Sequence, residues 1–186
     1  MTYFDQLLQS QRIAQARSVL QPGARVLDIG SSDGRLFRVV DTLSEGCLGI
    51  DPTLKRMVED GKFKLLPGLF PQDMPAVEPF DAITMLAVLE HFPVNTYTSL
   101  VQGCYHFLKP GGKVIITVPS PRVDKILAIL LKLRLVHGMS LEEHHGYEVR
   151  NTKEIFSPPQ FRLVCHRTFQ FGLNNLFVFQ KASDTT

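Results

Sequence analysis

Three groups of residues in this chain have types and spacings suited to chemistry. Asp28 and Asp33 flank the turn in Val26-Leu27-Asp28-Ile29-Gly30-Ser31-Ser32-Asp33-Gly34-Arg35-Leu36, and Asp51 follows in Cys47-Leu48-Gly49-Ile50-Asp51-Pro52. His91 stands in Leu89-Glu90-His91-Phe92, and His144 and His145 lie within Ser140 to Val149. An apolar run that enters glycines and then helix-like sequence reads as a strand, a turn and a helix. In an open parallel sheet that turn sits at the carboxyl edge, where ligands bind. Gly30 and Gly34 would let the backbone turn sharply and approach the ligand, because side chains there would fill the space it needs. The bland alternative is that both glycines only close the turn. Asp51 ends the second strand, where an acid can accept both hydroxyl hydrogens of a ribose. Two carboxylates flanking the turn are poor neighbours for a pyrophosphate but suit a ligand bearing ammonium and sulfonium cations. That tilts the choice from NAD to S-adenosylmethionine.

The histidines are candidates for a different task. If the acceptor of a transferred group is a hydroxyl or an acidic carbon, a general base assists, and histidine is the natural base near neutral pH. His91 falls just past the fourth strand-like run; His144 and His145 fall in a polar segment with Glu142, Glu143 and Tyr147. Each has a bland alternative, a local cap for His91 and a polar loop over the sheet edge for the pair. Adjacent histidines in a loop point apart, so no metal site is assigned.

The elements that must position these groups alternate along the chain. Apolar strand-like runs at 24–29, 47–50, 63–66, 82–86 and 113–118 are separated by segments of helical character near 34–43, 53–60 and 95–107. That alternation predicts a parallel sheet with helices on both faces. The first twenty residues space apolar side chains as a helix does. Near the end, Phe169, Phe171, Leu176, Phe177, Val178 and Phe179 favour strands, and the Gly172-Leu173-Asn174-Asn175 connection favours an antiparallel hairpin. Between the fifth strand and that hairpin, Val123, Ile126, Leu127, Leu130 and Leu131 make one apolar stripe on a potential helix.

Composition excludes several classes. The 186 residues are 44% hydrophobic, enough for one domain that buries roughly two-thirds of its unfolded surface. A net charge of +2 gives no global field for nucleic acid or an anionic membrane. Cys47, Cys104 and Cys165 form no C-x-x-C pair and read as free thiols of a reducing compartment. No signal-peptide pattern opens the chain, and the most apolar stretch is interrupted by Lys132 and Arg134 and too short to span a bilayer. A soluble, cytoplasmic protein is expected.

Val26 to Leu36, Gly49-Ile50-Asp51-Pro52, Phe80 to Phe92 and Leu108 to Pro121, in that order and at these intervals, resemble the successive motifs of class I S-adenosylmethionine-dependent methyltransferases. The resemblance is to the broad group related to ubiquinone-biosynthesis methyltransferases, and it covers roughly residues 12–121. It implies a Rossmann-like, doubly wound, seven-stranded α/β sheet, mostly parallel with an antiparallel C-terminal hairpin. Residues 1–186 would form a single methyltransferase domain with 122–150 as a substrate-covering insertion.

Carried over position by position, the resemblance implies that Asp28 and Gly30 lie by the methionine part of the cofactor, with Ser31, Ser32 and Gly34 completing the loop. Asp51 would hold the ribose, Pro52 would lie against the adenine, and the backbone of Met85, Leu86 and Ala87 would run beside the cofactor. Ser32 stands where the family usually has its middle glycine. Where the family often has an acid for the adenine amino group, Leu69 and Phe70 stand instead, so adenine would be held by apolar and stacking contact.

The function expected is methyl transfer to oxygen or carbon of a small-molecule or lipid-like acceptor. A peripheral membrane contact through Lys125, Lys132 and Arg134 is one use of the apolar stripe. DNA or RNA amino-methylation lacks its Asn-Pro-Pro-Tyr-type tetrapeptide here, where Met85-Leu86-Ala87-Val88 stands, and no basic patch interleaved with aromatics supports it. An NAD-dependent oxidoreductase predicts a third glycine in G-x-G-x-x-G spacing, which Gly30 to Arg35 does not provide. A non-catalytic binder that keeps the fold as a scaffold stays open, as do the acceptor and the oligomeric state.

Overall fold

The computed structural model describes residues 3–120 and 148–182. Its elements in chain order are α1 (Tyr3–Arg17), β1 (Val26–Ile29), α2 (Arg35–Val39), β2 (Cys47–Asp51), β3 (Val58–Asp60), β4 (Phe63–Pro67), β5 (Phe80–Leu86), α3 (Tyr97–Phe107), β6 (Leu108–Pro119), α4 (Asn151–Ile155), β7 (Phe161–Phe169) and β8 (Asn174–Lys181). Two single 3-10 turns, Leu89–His91 and Val94–Thr96, connect β5 to α3.

All eight strands join one sheet in the order β3-β4-β2-β1-β5-β6-β8-β7. The pairs β4·β2, β2·β1, β1·β5 and β5·β6 are parallel, whereas β6·β8 and β8·β7 are antiparallel. The chain order reverses at β1, so the ends of β1 and β5 form the crevice where an open sheet of this kind binds ligands.

Strand alternation sorts the side chains into two layers. Leu27, Ile29, Ile83, Met85, Val114 and Ile116 pack on one face against Leu100, Val101, Cys104 and Phe107, which recur as one stripe along α3. Val26, Ala82, Ile115 and Val178 pack on the other face against Ile13 and Ala16 of α1 and Leu36 and Phe37 of α2. Strands buried on both sides carry nearly unbroken apolar sequence, and this is why their positions are readable from composition alone. Cys47 and Cys104 are buried free thiols and Cys165 is half-buried and free. No helix among the described residues is long and apolar enough to cross a membrane.

Three details depart from the sequence reading. The helix expected over 53–60 is absent: Thr53 to Met57 form turns and Val58–Asp60 form β3, antiparallel to β4 with Val58 opposite Leu65. The two-residue loop Gly61-Lys62 closes this hairpin with Gly61 at φ +54°, and glycine at the first loop position is what a tight hairpin of this kind favours. The sheet therefore has eight strands instead of seven, while the seven expected keep their places. The helix near 34–43 is only Arg35–Val39. The β7–β8 connection runs through Gln170 to Leu173, with Gln170, Phe171 and Gly172 all at positive φ. Asn174 and Asn175 belong to β8: the Asn174 amide donates to Gln170, and His166 Nε2 bonds Asn175 Oδ1 at 3.1 Å.

The apolar stripe, Glu142, Glu143, His144, His145 and Tyr147 expected in the substrate-covering segment fall at 121–147, outside the described residues.

Candidate functional site at the carboxyl edge of β1, β2 and β5

β1 delivers Asp28 and then the glycine turn. The backbone N–H of Gly30 donates to Ile50 O at 2.8 Å and that of Gly34 to Ser31 O at 2.8 Å, so the turn is pinned to β2 at its start and closed by a hydrogen bond of its own. Gly30 and Gly34 both sit at φ +75°. The space that side chains would fill there is taken by the protein. A Cβ on Gly30 would meet Val88 Cγ2 at 2.4 Å, and one on Gly34 would meet Phe63 and Leu65 at 3.0 and 3.1 Å. Gly30 thus lets the chain after β5 close over the turn, and Gly34 lets α2 settle on the sheet.

Ser32 adopts φ 47°, the left-handed region in which a side chain is strained. Its backbone N–H points back to β2 and donates to Asp51 Oδ2 at 2.8 Å. The other oxygen, Oδ1, accepts from the Thr53 N–H at 2.8 Å and the Thr53 hydroxyl at 2.6 Å. Asp51 is 6% exposed. A carboxylate offers about four lone-pair positions, and these three bonds leave one on Oδ2. Asp51 as it stands can accept one ribose hydroxyl, and a second where the Thr53 hydroxyl rotates away.

Asp28, 4% exposed, lies between β2 and β5 opposite Gly49 and Thr84. The Thr84 hydroxyl donates to its Oδ1 at 2.6 Å. Burial pushes its carboxyl up to about 7 against the pull of that hydrogen bond, and the negative charge of Asp51 pushes the same way. Asp33 is exposed and accepts from Arg35 N at 3.1 Å. Ser31 is buried with its side chain turned toward the sheet: a Cβ on Gly49 would meet Ser31 Oγ at 2.5 Å. Only the backbone of Ser31 therefore faces the turn.

At the end of β5, Met85 is buried in the layer facing α3 and Leu86 packs toward α1. Ala87 turns the chain at φ 59° and donates its N–H to Thr117 O at 2.8 Å. Val88 then covers Gly30, and the first 3-10 turn ends on His91. Past β4, Phe70 is buried against Phe107, with ring centroids 5.9 Å apart, while Leu69 remains 58% exposed. Between these segments lies a cavity of about 180 Å³, lined by Gly30, Pro52, Leu69, Phe70, Val88 and His91 together with Ile29, Ile50 and Phe92. Pockets that enclose a whole drug-sized ligand run to roughly 300–1,000 Å³. This one fits the apolar end of a longer ligand whose remainder lies along the turn.

The expected residues Asp28, Gly30, Ser32, Asp51, Pro52, Leu69, Phe70, Leu86, Ala87 and His91 therefore converge on one edge of the sheet. His144 and His145 lie outside the described residues. Among the described residues no group of three His, Cys, Asp or Glu could hold a metal ion. Sequence reasoning missed Thr53, Thr84 and Val88, and left Asp73 unassigned because its register after β4 was open. Asp73 accepts the Leu69 N–H at 2.7 Å, and Gly68, Pro71 and Asp73 are residue types that mark a turn. Gly49 inside a strand was the corresponding signal for the close approach of Ser31.

The family described as methyltransferase domain matches residues 3–166. A ubiquinone biosynthesis O-methyltransferase of Xylella fastidiosa (strain M23) is 31% identical over 145 residues, covering 72% of this chain and 57% of that protein. The chain spans about half the length of the curated relatives it matches. The methyltransferase domain of bacterial CtHen1-C superposes with a TM-score of 0.69 at 18% identity, over 95% of this chain and 100% of that one. CalO1, a methyltransferase in calicheamicin biosynthesis, in its SAH-bound form, gives 0.67 at 16% identity, over 96% of this chain and 55% of that one. At such identities the structural likeness concerns the fold.

Proposed function

The chain belongs to the family of methyltransferase domains, and from that premise we propose that it transfers a methyl group from S-adenosylmethionine to an oxygen or carbon atom of a small-molecule or lipid-like acceptor. The observation that carries this reading is the link between the glycine turn and Asp51. Ser32 N–H to Asp51 Oδ2 at 2.8 Å fixes a buried carboxylate beside the turn, with an acceptor position to spare for a ribose and an apolar cavity next to it for a base. Asp28, buried one residue short of the turn, adds a second carboxylate, an arrangement that favours a cationic ligand over a pyrophosphate. The residues present thus fit the cofactor.

When bound, the sulfonium supplies an activated methyl group, and the chemistry is the cofactor's own. The protein's task is then to orient the reactants and exclude water. Asp51 would orient the ribose, Pro52 and Leu69 would shield the base, and the turn from Gly30 to Ser32 with the backbone at Leu86 would run along the amino-acid part. Ubiquinone biosynthesis O-methyltransferases are named for an oxygen acceptor on a small molecule, which supports the same class here. Buried free Cys47 and Cys104 support a reducing, cytoplasmic setting.

Calorimetric titration with S-adenosylmethionine, S-adenosylhomocysteine and NAD tests the reading. Micromolar binding of the first two, weakened at least about tenfold in Asp51→Asn, is the expected result. Binding of NAD alone, or of none of the three, overturns it.

A further inference from the structure

The cavity beside the glycine turn is apolar in nearly all of its lining, and many of its backbone donors are engaged within the protein. The N–H groups of Gly30, Gly68, His91 and Phe92 donate to Ile50, Asp51, Val88 and Leu89 carbonyls, and Leu69 N–H donates to Asp73. Pro52 and Pro93 have none to give. Among the described residues that line the cavity, His91 brings the one side chain with hydrogen-bonding atoms.

The position of His91 relative to the sheet decides its role. Ile29, Ile50, Phe70 and Val88 belong to the layer on the α3 side, so the cavity that His91 lines opens on that side. Leu86 packs on the α1 side, and alternation along β1 and β5 puts Asp28 and Thr84 there too. A ligand whose ribose is held by Asp51 would place its base toward Pro52 and Leu69, within the cavity, and its amino-acid part toward the turn and Leu86. Resting on the methyltransferase reading, we infer that His91 recognises the nucleobase of the cofactor and is not the base that activates the acceptor. The two ring nitrogens of an imidazole point apart, so one of them faces the ligand, and that nitrogen can accept from the adenine amino group or donate to the ring nitrogen beside it. In an otherwise apolar cavity that pairing would supply the selectivity that Leu69 and Phe70, standing in place of an acid, do not.

The test compares S-adenosylhomocysteine with S-inosylhomocysteine, in which the amino group is replaced by a carbonyl, on the wild type, His91→Ala and His91→Gln. The wild type should prefer the adenosyl ligand by about tenfold, and His91→Ala should lose about tenfold in affinity for it and bind the two within about twofold of each other. His91→Gln, which keeps a donor and an acceptor, should recover part of the preference. His91 is exposed, so the thermal midpoints should match and separate loss of recognition from loss of fold. Unchanged affinity and preference in His91→Ala would overturn the inference. So would a lower rate of methyl transfer at saturating cofactor with unchanged affinity. Failure of the wild type to bind either ligand would instead remove the methyltransferase reading on which the inference stands.

Discussion

The hydroxyl of Thr84 reaches across the β1–β5 pair and donates to Asp28 Oδ1 at 2.6 Å, yet burial still raises that carboxyl from 3.8 to about 7. Between those values the folded chain holds a proton that the unfolded chain has lost. The contribution of Asp28 to stability is therefore highest below 3.8, declines as pH rises toward 7, and is level above it. Asp28→Asn keeps an acceptor for Thr84 and removes the titration. Relative to the wild type, the variant should gain about 2–3 kcal/mol between pH 5 and pH 8, from roughly two pH units at 1.36 kcal/mol each. Urea midpoints of both proteins at the two pH values measure it; an equal difference at both would show that Asp28 does not titrate in this range.

The Ser32 link to Asp51 uses a backbone N–H held at φ 47°. Ser32→Gly removes the side-chain strain while keeping the donor, and the added freedom of the unfolded chain offsets part of the gain. The variant should be as stable as the wild type or more so, by up to about 1 kcal/mol, and should bind S-adenosylhomocysteine equally well. Ser32→Pro forces φ to about −65° and deletes the donor, so binding should be lost. Retained binding in the proline variant would show that the link does not shape the site.

Gly30 is closed over by Val88, and the two can be tested against each other. Gly30→Ala should cost about 2–4 kcal/mol, combining overpacking with a left-handed alanine. Removing the Val88 methyls that lie 2.4 and 2.8 Å from the added Cβ should recover the packing part but not the backbone part. Thermal midpoints of Gly30→Ala, Val88→Ala and the double variant give the coupling. Strict additivity would mean that Val88 is not what requires glycine at this position.

The strands were legible because burial on both faces leaves almost no polar residue in Cys47–Ile50 or Ala82–Leu86, a pattern that depends on local sequence alone. The segment 53–60 misled because Leu54, Met57 and Val58 have helical spacing, while the decisive pairing of Val58 with Leu65 is a contact between strands. Asn174 and Asn175 read as turn residues by type, whereas their side chains are engaged by Gln170 and His166. In the site, Asp51 and the glycines were legible by type and spacing. Val88, Thr53 and Thr84 were not, since an apolar or hydroxyl residue acquires its role only from the segment that folds against it.

Asp73, a turn residue by type whose partner the sequence leaves open, holds a wall of the cavity that can be removed in two ways. Its Oδ2 accepts the Leu69 N–H at 2.7 Å and its own N–H donates to Leu69 O at 2.9 Å, a reciprocal pair that closes the turn from Leu69 to Asp73. Gly68, at φ +149°, permits the close fit, since a Cβ there would meet Asp73 Cβ at 2.6 Å. Phe70 anchors the turn in the core and leaves Leu69 exposed on the cavity wall. Asp73→Ala should lower stability by only about 1 kcal/mol, the worth of a partly exposed hydrogen bond, but lower affinity for S-adenosylhomocysteine about tenfold by releasing Leu69. Leu69→Ala should weaken binding to a similar degree with no loss of stability, because its side chain is already in solvent without ligand. Asp73→Asn keeps an acceptor for Leu69 N–H and should bind as the wild type does. Should Asp73→Ala lower the thermal midpoint and leave affinity untouched, the turn supports the fold alone and the wall of the cavity is formed without it.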